Sequence, residues 1–175
     1  MPKRCGHMEG KQVIPKEEMA AKIRAACYAR QNPDTVIIAR TDARAVISFD
    51  EAIERAKLYD EAGADVLFVE APQSIEELKR IAETIKKPLL ANMVEHGKTP
   101  MLTGEELMQL GFKIVIYPVS ALYTVTKALM ELLESIKAND TTKQHKNHMV
   151  EFPEFNEMIG LSEIRGLESS FMMKK

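Results

Sequence analysis

Apolar residues along this chain change period in a repeating order. They recur at helical spacing near 16–31, 49–62, 75–86, 104–110 and 120–137, and short apolar runs fall between these stretches near 35–40, 65–70, 88–92 and 113–117. A spacing of three and four residues places side chains on one helix face, whereas a short unbroken apolar run suits a strand buried on both faces. Helix starts are marked independently. Ser48 with Glu51, Ser74 with Glu77 and Thr103 with Glu106 each have capping-box spacing, in which a hydroxyl and a carboxylate satisfy amides of the first turn. Val36-Ile37-Ile38, Val66-Leu67-Phe68-Val69 and Ile114-Val115-Ile116 alternate with these helices, and that order predicts a parallel sheet covered by helices, the α/β class. From Ala138 the pattern lapses into a polar run that reads as a linker. Beyond it Phe152, Phe155, Met158, Ile159 and Leu161 have helical spacing and predict a helix over 153–160. The expected division is a βα region over 1–137 and a linker with a helical tail over 138–175.

Composition narrows the class. The 175 residues suit one domain with a real core, at 45% hydrophobic and 29% charged. A formal net charge of −2 with intermixed signs leaves no broad cationic face, which excludes nucleic acid as the expected partner. No apolar run reaches the roughly 18 residues of a membrane span and the N-terminus carries no apolar secretory segment, so no membrane is expected and a cytoplasmic location is. Two cysteines do not make a disulfide framework. Cys27, beside Ala25 and Ala26 in a helical pattern, is expected to be a buried, inert thiol. His145 and His148 have no nearby carboxylate or cysteine, so a solvated linker is the expectation there rather than a metal site.

Candidate chemistry begins at Lys3-Arg4-Cys5-Gly6-His7, where two cations and an imidazole flank a thiol. Neighbouring positive charge favours the thiolate, which makes Cys5 a candidate proton donor or nucleophile; the alternative is a basic N-terminus with an incidental cysteine. In a parallel βα array ligands bind beyond the carboxyl ends of the strands. Arg40, Glu70, Asn92 and Tyr117-Pro118 fall at those ends. Arg40 suits a bidentate grip on a carboxylate or a structural ion pair. Glu70 suits a site role or a pairing with Arg40 or a loop lysine. Asn92 offers a donor and an acceptor to a ligand, or an Asx turn to its own backbone. Glu95-His96-Gly97-Lys98-Thr99-Pro100 is a charged loop on the same rim, and Glu9 and Lys11 belong with the Cys5 loop.

The opening motif with Gly10-Lys11 resembles the active-site loop of the isocitrate lyase and phosphoenolpyruvate mutase superfamily. Ile38-Ala39-Arg40-Thr41-Asp42-Ala43, Gly63-Ala64-Asp65, Phe68-Val69-Glu70-Ala71, Leu90-Ala91-Asn92-Met93 and Tyr117-Pro118 follow in the family's order, over Pro2 to about Ile136. The resemblance is to the branch of 2-methylisocitrate lyase, 2,3-dimethylmalate lyase and carboxyphosphonoenolpyruvate phosphonomutase. It implies a TIM (β/α)8 barrel, which takes about 250 residues and closes at eight strands. Four strands are legible here, so the chain is expected to be the C-terminal half of such a barrel plus a C-terminal helical tail. A half-barrel exposes two edges and an apolar interior face, and a partner is therefore expected: a second copy, a separate N-terminal half or an upstream segment.

The implied reaction cleaves a carbon–carbon bond of a 2-hydroxy di- or tricarboxylic acid, releasing pyruvate or a similar fragment. Cys5 would protonate the carbanion, while Arg4, Gly6, His7, Arg40, Glu70 and Asn92 match positions lining a small carboxylic-acid substrate. The family's Mg²⁺ would hold the developing enolate, but the aspartates that bind it lie in the first half of the barrel and are absent from this chain. Asp42 and Asp65 are no substitute, Asp42 being expected to cap a loop and Asp65 lying at the wrong end of its strand. The isolated chain is accordingly expected to be inactive. Tyr123 and Phe152 stand near places where methylisocitrate-cleaving members carry arginines, which favours a smaller diacid. Phosphonomutase activity is the enzymatic alternative, and a non-catalytic, self-associating half-barrel is the alternative of another class. In the family the tail helices exchange between subunits, an expectation carried over for 138–175.

Overall fold

The computed structural model describes residues 10–172. Its elements are α1 (Lys16–Ala29), β1 (Ile38–Thr41), α2 (Ala43–Val46), α3 (Phe49–Glu61), β2 (Val66–Val69), α4 (Ile75–Thr84), β3 (Leu90–Asn92), α5 (Gly104–Leu110), β4 (Ile114–Ile116), α6 (Ser120–Asn139), a 3-10 turn (Lys143–His148), α7 (Phe152–Met158) and α8 (Leu161–Phe171). Arg4, Cys5, Gly6 and His7 lie outside the described residues. The chain divides into two compact units, the first ending at Leu122 and the second beginning at Tyr123.

In the first unit β1 pairs in parallel with β2, Ile38 opposite Val66, and β3 with β4, Leu90 opposite Ile114. A parallel bridge from Leu67 to Leu89 joins the two pairs. Four strands therefore lie side by side in chain order, each followed by helix, which is half of a (β/α)8 barrel. Side chains alternate between the two faces of this arc. Ala39, Leu67, Val69, Leu89 and Ala91 point outward and are buried with Ile53, Ala56 and Tyr59 of α3, Leu78 and Ile81 of α4, and Leu107 of α5. Val66, Phe68 and Leu90 pack on the inner face with Ile114 and Ile116. All four residues of β2 are buried, as a strand covered on both faces requires. Each such Leu, Ile or Phe contributes about 1.5–3 kcal/mol of transfer free energy.

Helix starts follow the local chemistry. Ser48, Ser74 and Thr103 each accept the backbone N–H three residues on, but only Thr103 and Glu106 form the reciprocal box. Glu51 instead pairs with Arg55 at 2.8 Å, and Glu77 takes both Arg44 and the Gln73 amide. Strand β1 begins at Ile38 rather than near 35, because the Asp65 carboxylate, held by Arg30 at 2.7 Å, accepts the Ile37 N–H at 2.8 Å. Cys27 is half-buried rather than buried, and its thiol donates to the Gly63 carbonyl at 3.2 Å. Gly63 has φ of +105°, and a Cβ there would stand 3.2 Å from the Cys27 sulfur.

The second unit departs from expectation. Helix α6 runs on to Asn139, and the presumed linker winds into the 3-10 turn, where the His145 and His148 rings stack 4.9 Å apart. The helix expected over 153–160 is α7, which ends at Met158, and a further helix, α8, follows Gly160 at φ of +79° and packs on it. None of its described residues is buried. Among the described residues no helix is long and apolar enough to cross a membrane.

Candidate active site

Arg40, Glu70 and Asn92 meet at the carboxyl ends of three adjacent strands. Asn92 is the last residue of β3, Glu70 stands one residue past β2, and Arg40 is the third of four residues in β1 rather than its last. The Leu67–Leu89 bridge sets the register that brings Glu70 level with Asn92. The Asn92 amide donates to both Glu70 oxygens, at 3.4 and 3.3 Å, and Arg40 Nη2 lies 3.4 Å from Oε2. Glu70 is only 1% exposed. A charge so deeply buried is costly unless paired, so Arg40 and Asn92 are what permit it.

Arg40 is held from several sides. Asp42 grips it bidentately, Nε to Oδ2 at 2.7 Å and Nη2 to Oδ1 at 3.0 Å, and the guanidinium lies over the Phe68 ring at 4.9 Å. Lys11 reaches Asp42 Oδ1 at 3.3 Å. Burial pushes the Asp42 carboxyl upward, but Arg40 and Lys11 outweigh it and hold the group below its ordinary range. Asp42 stands at the start of α2 yet makes no side-chain capping bond; it is a guanidinium clamp, correcting the loop-capping expectation. Ala71, the residue after Glu70, has φ of +54°, a strained conformation for a residue with a Cβ and one that tends to gather at functional sites.

On the neighbouring loop Glu95 takes the Ser120 hydroxyl, which holds its carboxyl below the usual range. Glu95 Oε2 and Asn92 Oδ1 are buried without a hydrogen-bond partner among the described residues. Glu70 accepts only, so it orients the Asn92 amide nitrogen toward itself and leaves the oxygen facing away. The rim thus offers an oriented cation and two acceptors that call for a donor. Asp42, Phe68 and Ser120 were not among the expected site residues. The signal for the first was the Arg40-x-Asp42 spacing across the end of β1, close enough for an ion pair.

The carboxylates do not fit a divalent cation. Asp42 is occupied by Arg40 and Lys11, Asp65 by Arg30 and the Ile37 amide, and Glu70 by Arg40 and Asn92. Among the described residues no group of three or more His, Cys, Asp or Glu could hold a metal ion.

The chain is similar to known proteins over most of its length. The family model described as phosphoenolpyruvate phosphomutase matches residues 3–137. The chain is 51% identical to 2,3-dimethylmalate lyase of Eubacterium barkeri over 98% of its own length and 59% of that protein's. It is 45% identical to the chloroplastic carboxyvinyl-carboxyphosphonate phosphorylmutase of Arabidopsis thaliana, covering 97% of this chain and 51% of the relative. The chain therefore spans about half the length of the curated relatives it matches. A crystal structure of 2,3-dimethylmalate lyase superposes with a TM-score of 0.85 at 35% identity, over 96% of this chain and 56% of that one. A phosphonopyruvate hydrolase solved in complex with oxalate and Mg²⁺ superposes at 0.80 with 27% identity, over 96% and 61%. With a family model matched over residues 3–137 and relatives at 45–51% identity along almost its whole length, the chain belongs to the phosphoenolpyruvate mutase and isocitrate lyase superfamily.

Proposed function

We propose that this chain forms the substrate-gripping half of a carbon–carbon lyase that acts on a 2-hydroxy dicarboxylate of the 2,3-dimethylmalate kind and releases pyruvate. The carrying observation is the Arg40–Glu70–Asn92 cluster at three neighbouring strand ends, in a chain 51% identical to a dimethylmalate lyase. Arg40, fixed in orientation by Asp42, binds one substrate carboxylate. Asn92 Oδ1 accepts the 2-hydroxyl hydrogen, its amide held in place by Glu70. The hydroxyl proton passes to the Glu95 carboxylate, whose Oε2 is buried without a partner among the described residues, as the C2–C3 bond breaks. C2 becomes the ketone carbon of pyruvate, and the bonding pair passes to C3 beside the remaining carboxylate. A proton then returns to C3, and Cys5, flanked by Lys3, Arg4 and His7, is the group proposed to deliver it. Arg4, Gly6 and His7 are proposed to line the substrate in the same loop. Mg²⁺ belongs to this reading as a Lewis acid; the described residues do not hold it, and no step above depends on it. A reduced thiol at Cys5 suits the cytoplasm.

Calorimetric titration of the chain with a malate derivative and with oxalate tests the grip. Arg40→Gln is expected to weaken binding about tenfold or more, the loss of a charge-assisted bidentate contact. Equal binding by the variant sinks the reading. Pyruvate release, assayed with Mg²⁺ and the N-terminal half of the Eubacterium relative supplied as a separate chain, separates the chemistries. Turnover of a carboxyphosphonate and of no hydroxydiacid would favour the mutase, which the Arabidopsis relative keeps in play.

A further inference from the structure

Glu95 is fixed at both its backbone and its carboxylate, by different elements. Its backbone sits in a tight turn past β3, closed by the Gly97 N–H on the Val94 carbonyl at 3.0 Å. His96 in that turn has φ of +59°, a costly conformation for a residue with a Cβ. The Met93 N–H donates to the Ile116 carbonyl at 2.9 Å, which ties the carboxyl end of β3 to that of β4. Just beyond β4, Ser120 opens α6, and its hydroxyl donates to Glu95 Oε1. Ser120 belongs to the first unit, which ends at Leu122.

That bond gives the two carboxylate oxygens different tasks. With Oε1 held by a hydroxyl, the group no longer rotates freely, and Oε2 keeps one direction, buried and without a partner among the described residues. Asn92 Oδ1, on the same segment, is the other such atom. Two buried acceptors without a donor call for a ligand that brings one. A 2-hydroxy acid does so, whereas the same diacid without the hydroxyl would leave both unpaired, a costly state for a buried acceptor. Donation by Ser120 also favours the charged carboxylate, and it leads the Glu95 backbone amide and His96 in holding the group below its usual range. The first turn of α6 brings no charged side chain. The other titratable groups of this rim are His96 and Lys98 on the loop, Tyr117 past β4, and Arg40 and Glu70 on the far side of Asn92.

We propose that Ser120 is a positioning residue of this site: its hydroxyl, in the first turn of α6, aims Glu95 Oε2 at the substrate's 2-hydroxyl and so selects 2-hydroxy diacids over diacids that lack the group. The inference rests on the reading of Glu95 as the carboxylate that takes the hydroxyl proton. It separates two kinds of recognition. Arg40 grips a carboxylate that both kinds of diacid carry, while Ser120, acting through Glu95, governs the hydroxyl.

Calorimetric titration of the chain with 2,3-dimethylmalate and with 2,3-dimethylsuccinate, the same diacid without the hydroxyl, reads the selection. The unaltered chain is expected to favour the hydroxy acid about tenfold or more, the worth of one hydrogen bond to a charged group. Ser120→Ala should lose most of that preference while binding the succinate as before, and Ser120→Thr, which keeps a hydroxyl, should restore it. A merely structural serine would weaken both ligands alike. Carbon-13 NMR of the Glu95 carboxyl needs no ligand: its titration should lie below the ordinary carboxylate range in the unaltered chain and move upward in Ser120→Ala. Equal affinity of the unaltered chain for the two diacids overturns the proposal. So does a preference unchanged in Ser120→Ala, an equal loss on both ligands, or a Glu95 titration that does not move, and in each of these cases the Arg40 grip still stands. Binding of neither diacid overturns the lyase reading and this inference with it.

Discussion

The Asp42 carboxylate pairs with Arg40 and Lys11, and it governs how the candidate site presents its cation. Its carboxyl is held below the ordinary range in the folded chain. A group depressed in this way contributes stability that is fully present above its unfolded value of about 4 and is lost as pH falls through the folded value. The melting-temperature gap between the unaltered chain and Asp42→Asn should therefore be constant from neutral pH down to about 5 and shrink below 4. A gap that grew on acidification would show that Asp42 is not the clamp. Arg40→Gln leaves the Glu70 charge buried with only an amide for company, so it is expected to cost about 1–3 kcal/mol, and adding Glu70→Gln should return part of that loss. Urea denaturation of the two variants checks the sign. Arg40, Glu70 and Asn92 were legible because a strand end is a position readable from periodicity. Asp42's role was signalled only by its spacing, because it depends on the Arg40 guanidinium folding onto the residue just past its own strand instead of outward.

At the scale of elements, local rules carried furthest where both partners are close in sequence. The Thr103–Glu106 box is reciprocal, so Thr103→Ala should destabilise by about 1 kcal/mol, with Ser48→Ala costing no more than that, as read by thermal unfolding. Leu67, wholly buried on the outward face of the central strand β2, should cost about 2–5 kcal/mol on truncation to Ala. Where elements departed from expectation, a distant or conformational cause is visible. The start of β1 is set by Asp65, 28 residues from the Ile37 amide it occupies. Helix α7 stops at Met158, short of 160, and Gly160 in a left-handed conformation opens the further helix α8, a turn that the apolar period over 153–160 does not show. Glu51 and Glu77 were read as box partners and instead went to arginines, because a guanidinium within reach competes with a backbone amide for the same oxygens.

Over the whole molecule, burial is uneven. The first unit holds every buried residue, and the second holds none among those described. Hydrogen exchange should follow that division: amides of Leu67 and Val69 exchange only on global unfolding, while those of α8 exchange near the unprotected rate. Strong protection across α8 would mean that its exposed Ile164, Leu167 and Phe171 are covered in solution. The sequence alone determined the alternation of strands and helices, the three serine and threonine helix starts, and the strand ends where chemistry collects. All of these arise from relations within a few residues, where period and capping act. Only the tertiary structure decided that the Glu70 charge is buried beneath Arg40 and Asn92, and that Asp42 and Asp65 are committed to arginines. These depend on residues far apart in the chain being brought within ångströms, where pairing and desolvation, rather than local propensity, set the free energy.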